Sequence, residues 1–215
     1  MAVLVDCNCT KKLKGPHVMR SYFSMIVCLL FTSLAAANSY AAGPDDARRF
    51  VDEVGSKVVV SVNSSASEEH KKQQLRQMFS ENVDMEWMGK FVLANGLAQA
   101  TDDQKTRYLS AYKEYLLSRY TNNFSTYTGS DYTINDVKPV AEGQYTVGMA
   151  VKAPKAGQPD IQAGYRVRIS ENGQYKIIDI IIEGVSLITS QRSEFASALQ
   201  KGGLDRLIEQ LKAKT

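Results

Sequence analysis

Residues 172–195 read NGQYKIIDIIIEGVSLITSQRSEF, and this stretch decides the fold. Asn172 and Gly173 suit a type I′ hairpin turn, whose two central positions need φ > 0. The run that follows, 175–182, is β-branched and apolar on both faces around a single acid, Asp179. A strand of that kind carries hydrophobic cover above and below it. Glu183-Gly184 ends it, and Val185, Leu187 and Ile188 open the apolar face of a helix.

Upstream of this stretch the pattern alternates with period two. Strands are expected near 131–137, 144–152 and 162–170, with the fourth at 174–182. Tyr145, Val147, Met149 and Val151 share one face of the second, and Ala163, Tyr165, Val167 and Ile169 one face of the third. Arg166 and Arg168 fall on the opposite face, as expected for a sheet covered on one side and wetter on the other. A Pro- and Gly-bearing loop over 153–159 joins two of the strands.

Earlier still the period is helical. Pro44-Asp45-Asp46 opens a first helix with acids at its positive end, and Phe50, Val51, Val54 and Val58 mark its apolar face. Ser67 caps a second, Leu75, Met78, Phe79 and Val83 forming its stripe. A short helix over 84–93 carries Trp87, Met88, Phe91 and Val92. Thr101-Asp102-Asp103-Gln104 is a capping box that opens a long helix in which Tyr108, Tyr112, Tyr115 and Leu116 share one face. Two helices, 186–200 and 204–212, finish the chain across Gly202-Gly203. Helices, then a meander, then helices define an α+β fold. It consists of an antiparallel sheet of about four strands, covered by N-terminal and C-terminal helices.

The wording D-I-I-I-E-G-V-S-L-I, then S-Q-R-S-E-F, resembles the signature of the MlaC, or toluene-tolerance, family of periplasmic phospholipid-binding proteins. FSENVDMEWMGKFVL (79–93), YLSAYKEYLLSRYTNNFSTY (108–127) and the closing Gly203-Leu204-Asp205-Arg206-Leu207-Ile208 resemble its helical segments in order. One departure stands out. Members often carry Gly, and Trp or Arg, just after the F-V-L segment, whereas this chain reads Ala94-Asn95-Gly96-Leu97-Ala98 there.

The first 41 residues read as a secretory signal. Lys11, Lys12, Lys14 and Arg20 form a basic region, residues 25–34 an apolar core too short to span a bilayer, and Ser39-Tyr40-Ala41 a small-x-small cleavage site. Met19 offers an alternative start, because the text from there is a complete signal by itself. Cys7, Cys9 and Cys28 all lie in this segment, so residues 42–215 form a single domain with no thiol and no disulfide. Four of the 26 basic and one of the 23 acidic side chains also lie there, leaving 22 of each in the domain. That balance gives no support to nucleic-acid binding.

Catalytic chemistry finds few candidates. His70, the one histidine after residue 41, sits in a charged run, and no nucleophile elbow, zinc-ligand spacing or glycine-rich phosphate loop is present. No catalytic residue, metal or cofactor is therefore expected. Asp179 is the exception worth weighing. Within an apolar strand it is either a base of raised pKa, with Glu183 on the same face if the strand continues, or the partner of Arg166 or Arg168, or turned to water. The first option would make the protein a periplasmic enzyme with an apolar pocket. Arg192 either meets a phosphate or a partner protein, or pairs with Glu183, Glu194 or Asp179.

A stripe of Tyr, Met and Trp against a sheet fits a filled core as well as a hollow one. The resemblance implies the hollow one: an apolar cavity, between a curved antiparallel sheet and its helices, that shelters phospholipid acyl chains. It also implies docking on an inner-membrane ABC transporter complex and an outer-membrane lipoprotein complex, which together maintain outer-membrane lipid asymmetry. The expected lining is Met88, Phe91, Tyr112, Met149, Tyr165, Val167, Ile178, Ile180 and Val185. For the export signal, the intact mass of protein recovered from the cell envelope should match a chain beginning at Ala42. A mass retaining Met1 or Met19 would refute cleavage.

Overall fold

The helical elements form where caps and apolar stripes coincide. The computed structural model describes residues 43–122, 131–153 and 157–215. The segment read as a secretory signal, with its cysteines, lies outside the described residues, as do positions 154–156 of the expected loop. Helix α1 (Pro44–Asn63) begins with Pro44 and with Asp45 and Asp46 in its first turn. Ser67 caps α2 (Glu68–Asn82) by accepting the His70 N–H at 3.3 Å. Asp84 caps α3 (Met85–Leu93) by accepting the Trp87 N–H at 3.0 Å. After the single turn α4 (Asn95–Ala98), Thr101 and Gln104 close a reciprocal capping box at 3.1 and 3.2 Å on α5 (Asp102–Thr121). Each of these caps satisfies amide donors that the helix itself leaves open.

Five strands follow: β1 (Tyr132–Ala141), β2 (Gln144–Val151), β3 (Ile161–Ile169), β4 (Tyr175–Ile182) and β5 (Val185–Ser186). They form one antiparallel sheet in sequence order. The expected count of about four misses β5. Where the sequence shows only a strand end, Glu183 (φ 48°) and Gly184 (φ 79°) make a two-residue hairpin turn that pairs Ile182 with Val185. Both central residues lie at positive φ, as a type I′ turn requires.

The turn expected at Asn172-Gly173 is of another type. Only Gly173 has positive φ, at 79°. Its N–H donates to the Ser170 carbonyl at 2.8 Å, and the Ser170 N–H donates to Gln174 at 2.8 Å. This is a longer loop, a type I turn closed by a left-handed glycine. The extra residue, Glu171, takes Asn172 out of the position where it would need φ > 0.

One face of the sheet is apolar from edge to edge. Register places Ile134, Met149, Ala163 and Ile182 in one row, and Val147, Tyr165 and Ile180 in the next. Helix α1 packs on β1 and β2, while α3, α5 and α6 (Leu187–Lys212) pack on one another, with α3 and α6 bearing on β4. Gly89 permits the close approach of α3 and α5, because a Cβ there would lie 2.9 Å from the Tyr112 ring. The two closing helices, labelled together as α6, are separated as expected by a kink at Gly203 (φ 71°, ψ −176°). The outer edge of β4 is closed by short β5 and by a parallel bridge from Val83 to Ile177, with the Asp84 N–H on the Ile177 carbonyl at 2.9 Å. Covering an edge in this way removes a template for unwanted strand addition.

Ala94, at the end of α3, sits at φ 47°, ψ −121°. This is a glycine region of the backbone map, and it coincides with the departure from the family wording. A non-glycine there costs about 1–3 kcal/mol. Ala94→Gly is expected to stabilise the protein by about 1 kcal/mol, raising the melting temperature by about 2–4 °C for a domain of this size. Calorimetry of the two proteins checks it, and an unchanged or lowered transition would refute the strain.

Candidate functional site

Asp179 is fully buried in β4. Its Oδ2 accepts the Ser186 hydroxyl at 2.7 Å, and its Oδ1 accepts the Ile188 N–H at 3.2 Å. The Arg166 guanidinium on β3 stands 3.8 Å away. Ser186 is itself the cap of α6, accepting the Thr189 N–H at 3.2 Å. One carboxylate thus joins two strands, a hairpin and the first turn of a helix, where the helix dipole favours a negative charge. Of the readings the sequence left open, the Arg166 pair is the one realised; Arg168 pairs with Asp84 at 2.7 Å. Glu183 does not share the Asp179 face, because the chain turns there, and its carboxylate accepts the Gln162 N–H at 2.7 Å. An acid sealed on all sides in this manner is ill placed to take a proton from a substrate.

Beneath Asp179 lies the tyrosine stripe of α5. Tyr108 and Tyr112 are fully buried and stack at 5.8 Å. The Tyr108 hydroxyl donates to the Gly89 carbonyl at 3.0 Å, and the Tyr112 hydroxyl donates to Gln191 Oε1 at 2.6 Å. Burial pushes both phenols far above their ordinary pKa. Burial also pushes Tyr120 and Tyr175 up to about 12. Gln191 is buried as well, and its Nε2 has no hydrogen-bond partner.

The expected lining residues fall into groups. Met88, Tyr112, Met149 and Val167 are buried in one apolar cluster, against which Phe91, Tyr165 and Ile180 pack half-buried. Ile178 lies outside that cluster. It is the extra residue of a β-bulge beside the Arg166–Val167 register shift, and takes no partner in β3. Val185 stands on the β4–β5 hairpin, 61% exposed, opposite Ile182 at 44%. A separate open groove of about 440 Å³ lies between α1 and α2, lined by Val60, Ala66, Met78, Lys57, His70 and Gln74 among others. His70 is exposed there.

On the outer side, Arg192 of α6 takes none of the three carboxylates offered to it. Asp179 and Glu183 are engaged as described, and Glu194 pairs with Lys214 at 2.9 Å. The Arg192 guanidinium instead lies 5.0 Å over the Phe91 ring. No helix among the described residues is long and apolar enough to cross a membrane.

This arrangement has relatives. Residues 48–213 match the family model described as MlaC protein. The chain belongs to the MlaC family. It is 25% identical over 130 residues to the toluene tolerance protein ttg2D of Pseudomonas putida, the match covering 59% of each chain. It is 21% identical over 131 residues to the intermembrane phospholipid transport system binding protein MlaC of Haemophilus influenzae, covering 60% of this chain and 61% of that one. The chain thus spans about six-tenths of the length of these two relatives. Its fold is similar to that of a phospholipid-binding protein from Ralstonia solanacearum, solved in complex with a phospholipid. The TM-score is 0.67 at 21% identity, covering 78% of this chain and 96% of that one.

Sequence reasoning missed Ser186 and Gln191, which tie Asp179 and Tyr112 into the fold of this MlaC-family chain. Gln191 falls between Ile188 and Phe195 at helical spacing, so the apolar stripe itself placed an amide in the core. The tyrosines give a test in solution. Unfolded tyrosine ionises near pH 10, and the buried phenols hold their protons above it. Folding is therefore favoured by the proton each phenol retains, fully below about pH 10, and that contribution is lost progressively as pH rises from there. Urea unfolding between pH 8 and pH 11 should show a plateau and then a steep fall. The fall should be shallower for the Tyr108→Phe, Tyr112→Phe double variant; identical slopes would refute the assignment.

Proposed function

We propose that this chain is a periplasmic phospholipid carrier that shuttles lipid between an outer-membrane lipoprotein complex and an inner-membrane ABC transporter complex. Residues 1–41 are its export signal, and 42–215 its single lipid-binding domain. The observation that carries the reading is the continuous apolar sheet face of Val147, Met149, Tyr165, Val167 and Ile180 under a helical layer rich in tyrosine. The fold is shared with a neighbour that holds a phospholipid. The name of the Haemophilus relative, which assigns it to intermembrane phospholipid transport, supports the same role.

Energetics dictate what such a carrier does. Exposing one acyl chain of about 16 carbons to water costs on the order of 12 kcal/mol, at about 0.8 per methylene. Unaided diffusion of the lipid is negligible. Transfer from bilayer to protein exchanges one apolar environment for another, so direction is set by the docking partners. Ile182, at the β4–β5 edge of the apolar face, is 44% exposed, and the acyl chains enter at that edge. Methionine adapts to tails of different shape, and tyrosine gives an apolar wall with a polar tip. The carrier performs no covalent step. The enzyme alternative loses support because both Asp179 and Glu183 are committed to structural hydrogen bonds.

Organic extraction of the purified protein followed by mass spectrometry is expected to yield diacyl phospholipid in stoichiometric amount. Ile180→Arg should abolish the lipid while leaving the circular dichroism spectrum unchanged. Val167→Glu should do the same if it folds, and the half-buried Ile180 keeps the test decisive if it does not. Lipid retained at wild-type level in Ile180→Arg overturns the lining. A polar metabolite with turnover, or no ligand at all in the unaltered protein, overturns the carrier.

A further inference from the structure

Two stacked rings lie between two cations at the surface of the molecule. The Arg168 guanidinium on β3 lies 5.2 Å over the Trp87 ring, Trp87 stacks on Phe91 at 5.2 Å, and Arg192 of α6 lies 5.0 Å over Phe91. Trp87 and Phe91 are one turn apart on α3 and half-buried, while Arg192 is exposed. Three elements distant in sequence thus converge on one surface strip. The fold accounts for one end of it. Arg168 is braced by Asp84 at 2.7 Å, the same carboxylate that caps α3, and this fixes the indole. The fold does not account for the other end, where Arg192 has no ion pair or hydrogen bond among the described residues.

We propose that Trp87, Phe91 and Arg192 form a docking surface for a protein partner that presents a carboxylate side chain to Arg192. The proposal rests on the carrier reading only for the partner's place in lipid transfer. A guanidinium held over a ring spends no hydrogen bond on it, so its N–H donors stay free as the fork that receives a carboxylate in two parallel hydrogen bonds. The ring beneath holds that fork in one orientation before the partner arrives, so less rotamer freedom is lost on contact. Arginine and tryptophan are also the side chains that dominate protein–protein binding energy when clustered in partly desolvated patches.

Charge bookkeeping around the strip separates a protein from a membrane. Glu86 and Lys90, the other charges on this stretch of α3, pair with each other at 2.5 Å. Arg168 is matched by Asp84, and Arg166 by Asp179. One uncompensated cation remains. An anionic bilayer attracts each surface cation only weakly and is held by clusters of them. A single fork on an aromatic shelf instead suits one specific carboxylate. A free phosphate ion, which is gripped by several converging donors, finds one here.

The test places a photoactivatable benzoylphenylalanine at Ser193, the exposed neighbour of Arg192, in the full chain expressed in its own host. Irradiation should yield a covalent adduct with a protein whose linked peptide contains Asp or Glu. Arg192→Glu should reduce that adduct by about tenfold or more, as expected for a hot-spot arginine, with an unchanged melting temperature and unchanged co-purifying lipid. Arg192→Lys, which keeps the charge and loses the fork, should fall between. Arginine substituted for the linked acid of the partner should restore the adduct to the Arg192→Glu chain. An adduct indifferent to Arg192→Glu overturns the surface. So does binding of the unaltered protein to phosphatidylglycerol vesicles that Arg192→Glu abolishes, which would make the strip a membrane contact. Absence of lipid from the unaltered protein would sink the carrier reading and leave the adduct test standing.

Discussion

The Asp179 carboxylate is the tie on which the architecture depends. A polar acid in an apolar strand is costly unless its oxygens are met, and here a hydroxyl, a backbone amide and a guanidinium meet them. Each of those donors belongs to a different piece of chain: the β5 strand, the first turn of α6 and β3. Satisfying one side chain therefore fixes where the hairpin folds back and where the last helix starts. That helix in turn presents Ile188, Gln191 and Phe195 to the tyrosines of α5. The helical layer is thereby registered against the sheet, and the apolar face beneath it acquires its cover.

Much of this was legible in the text because local rules and tertiary packing agreed. Ser67, Asp84 and Thr101 stand where helices need caps, and they cap. The tyrosine spacing on α5 marks the side that is buried. The four main strands begin and end close to where period two begins and ends. Disagreements arise where one extra residue changes the geometry. Ile178 alternates correctly on paper, yet the bulge beside Arg166 and Val167 removes it from the row that holds Tyr165 and Ile180. Glu171 does the same for the Asn172-Gly173 turn. Val185 reads as part of a helix face and is instead carried out on a hairpin. None of these shifts has a signature in composition, because each is set by how a strand pairs across its hairpin rather than by its own alternation.

The site was harder to read than the fold for a related reason. Apolar side chains at the right spacing specify that a face is covered and leave open what covers it. The polar groups carry more information, since each buried donor or acceptor demands a named partner. Gln191 satisfies Tyr112 with one end of its amide and keeps an unmatched nitrogen at the other. Arg192, the next residue, points outward and has its cation unmatched on the surface. Two adjacent residues on one helix thus serve the interior and the exterior separately.

The bond from the Tyr175 hydroxyl to the Gly43 carbonyl joins the start of α1 to β4 at 3.0 Å, across a sequence separation of 132 residues. The Val83–Ile177 bridge makes a similar demand on the junction of α2 and α3. Contacts of such long range form late, because the loop they close must first surrender its freedom. The early helices consequently lack part of their support until the fourth strand is at hand. A chain threaded amino-terminus first through a narrow opening would pass it as open polypeptide, with its assembly deferred to the far side.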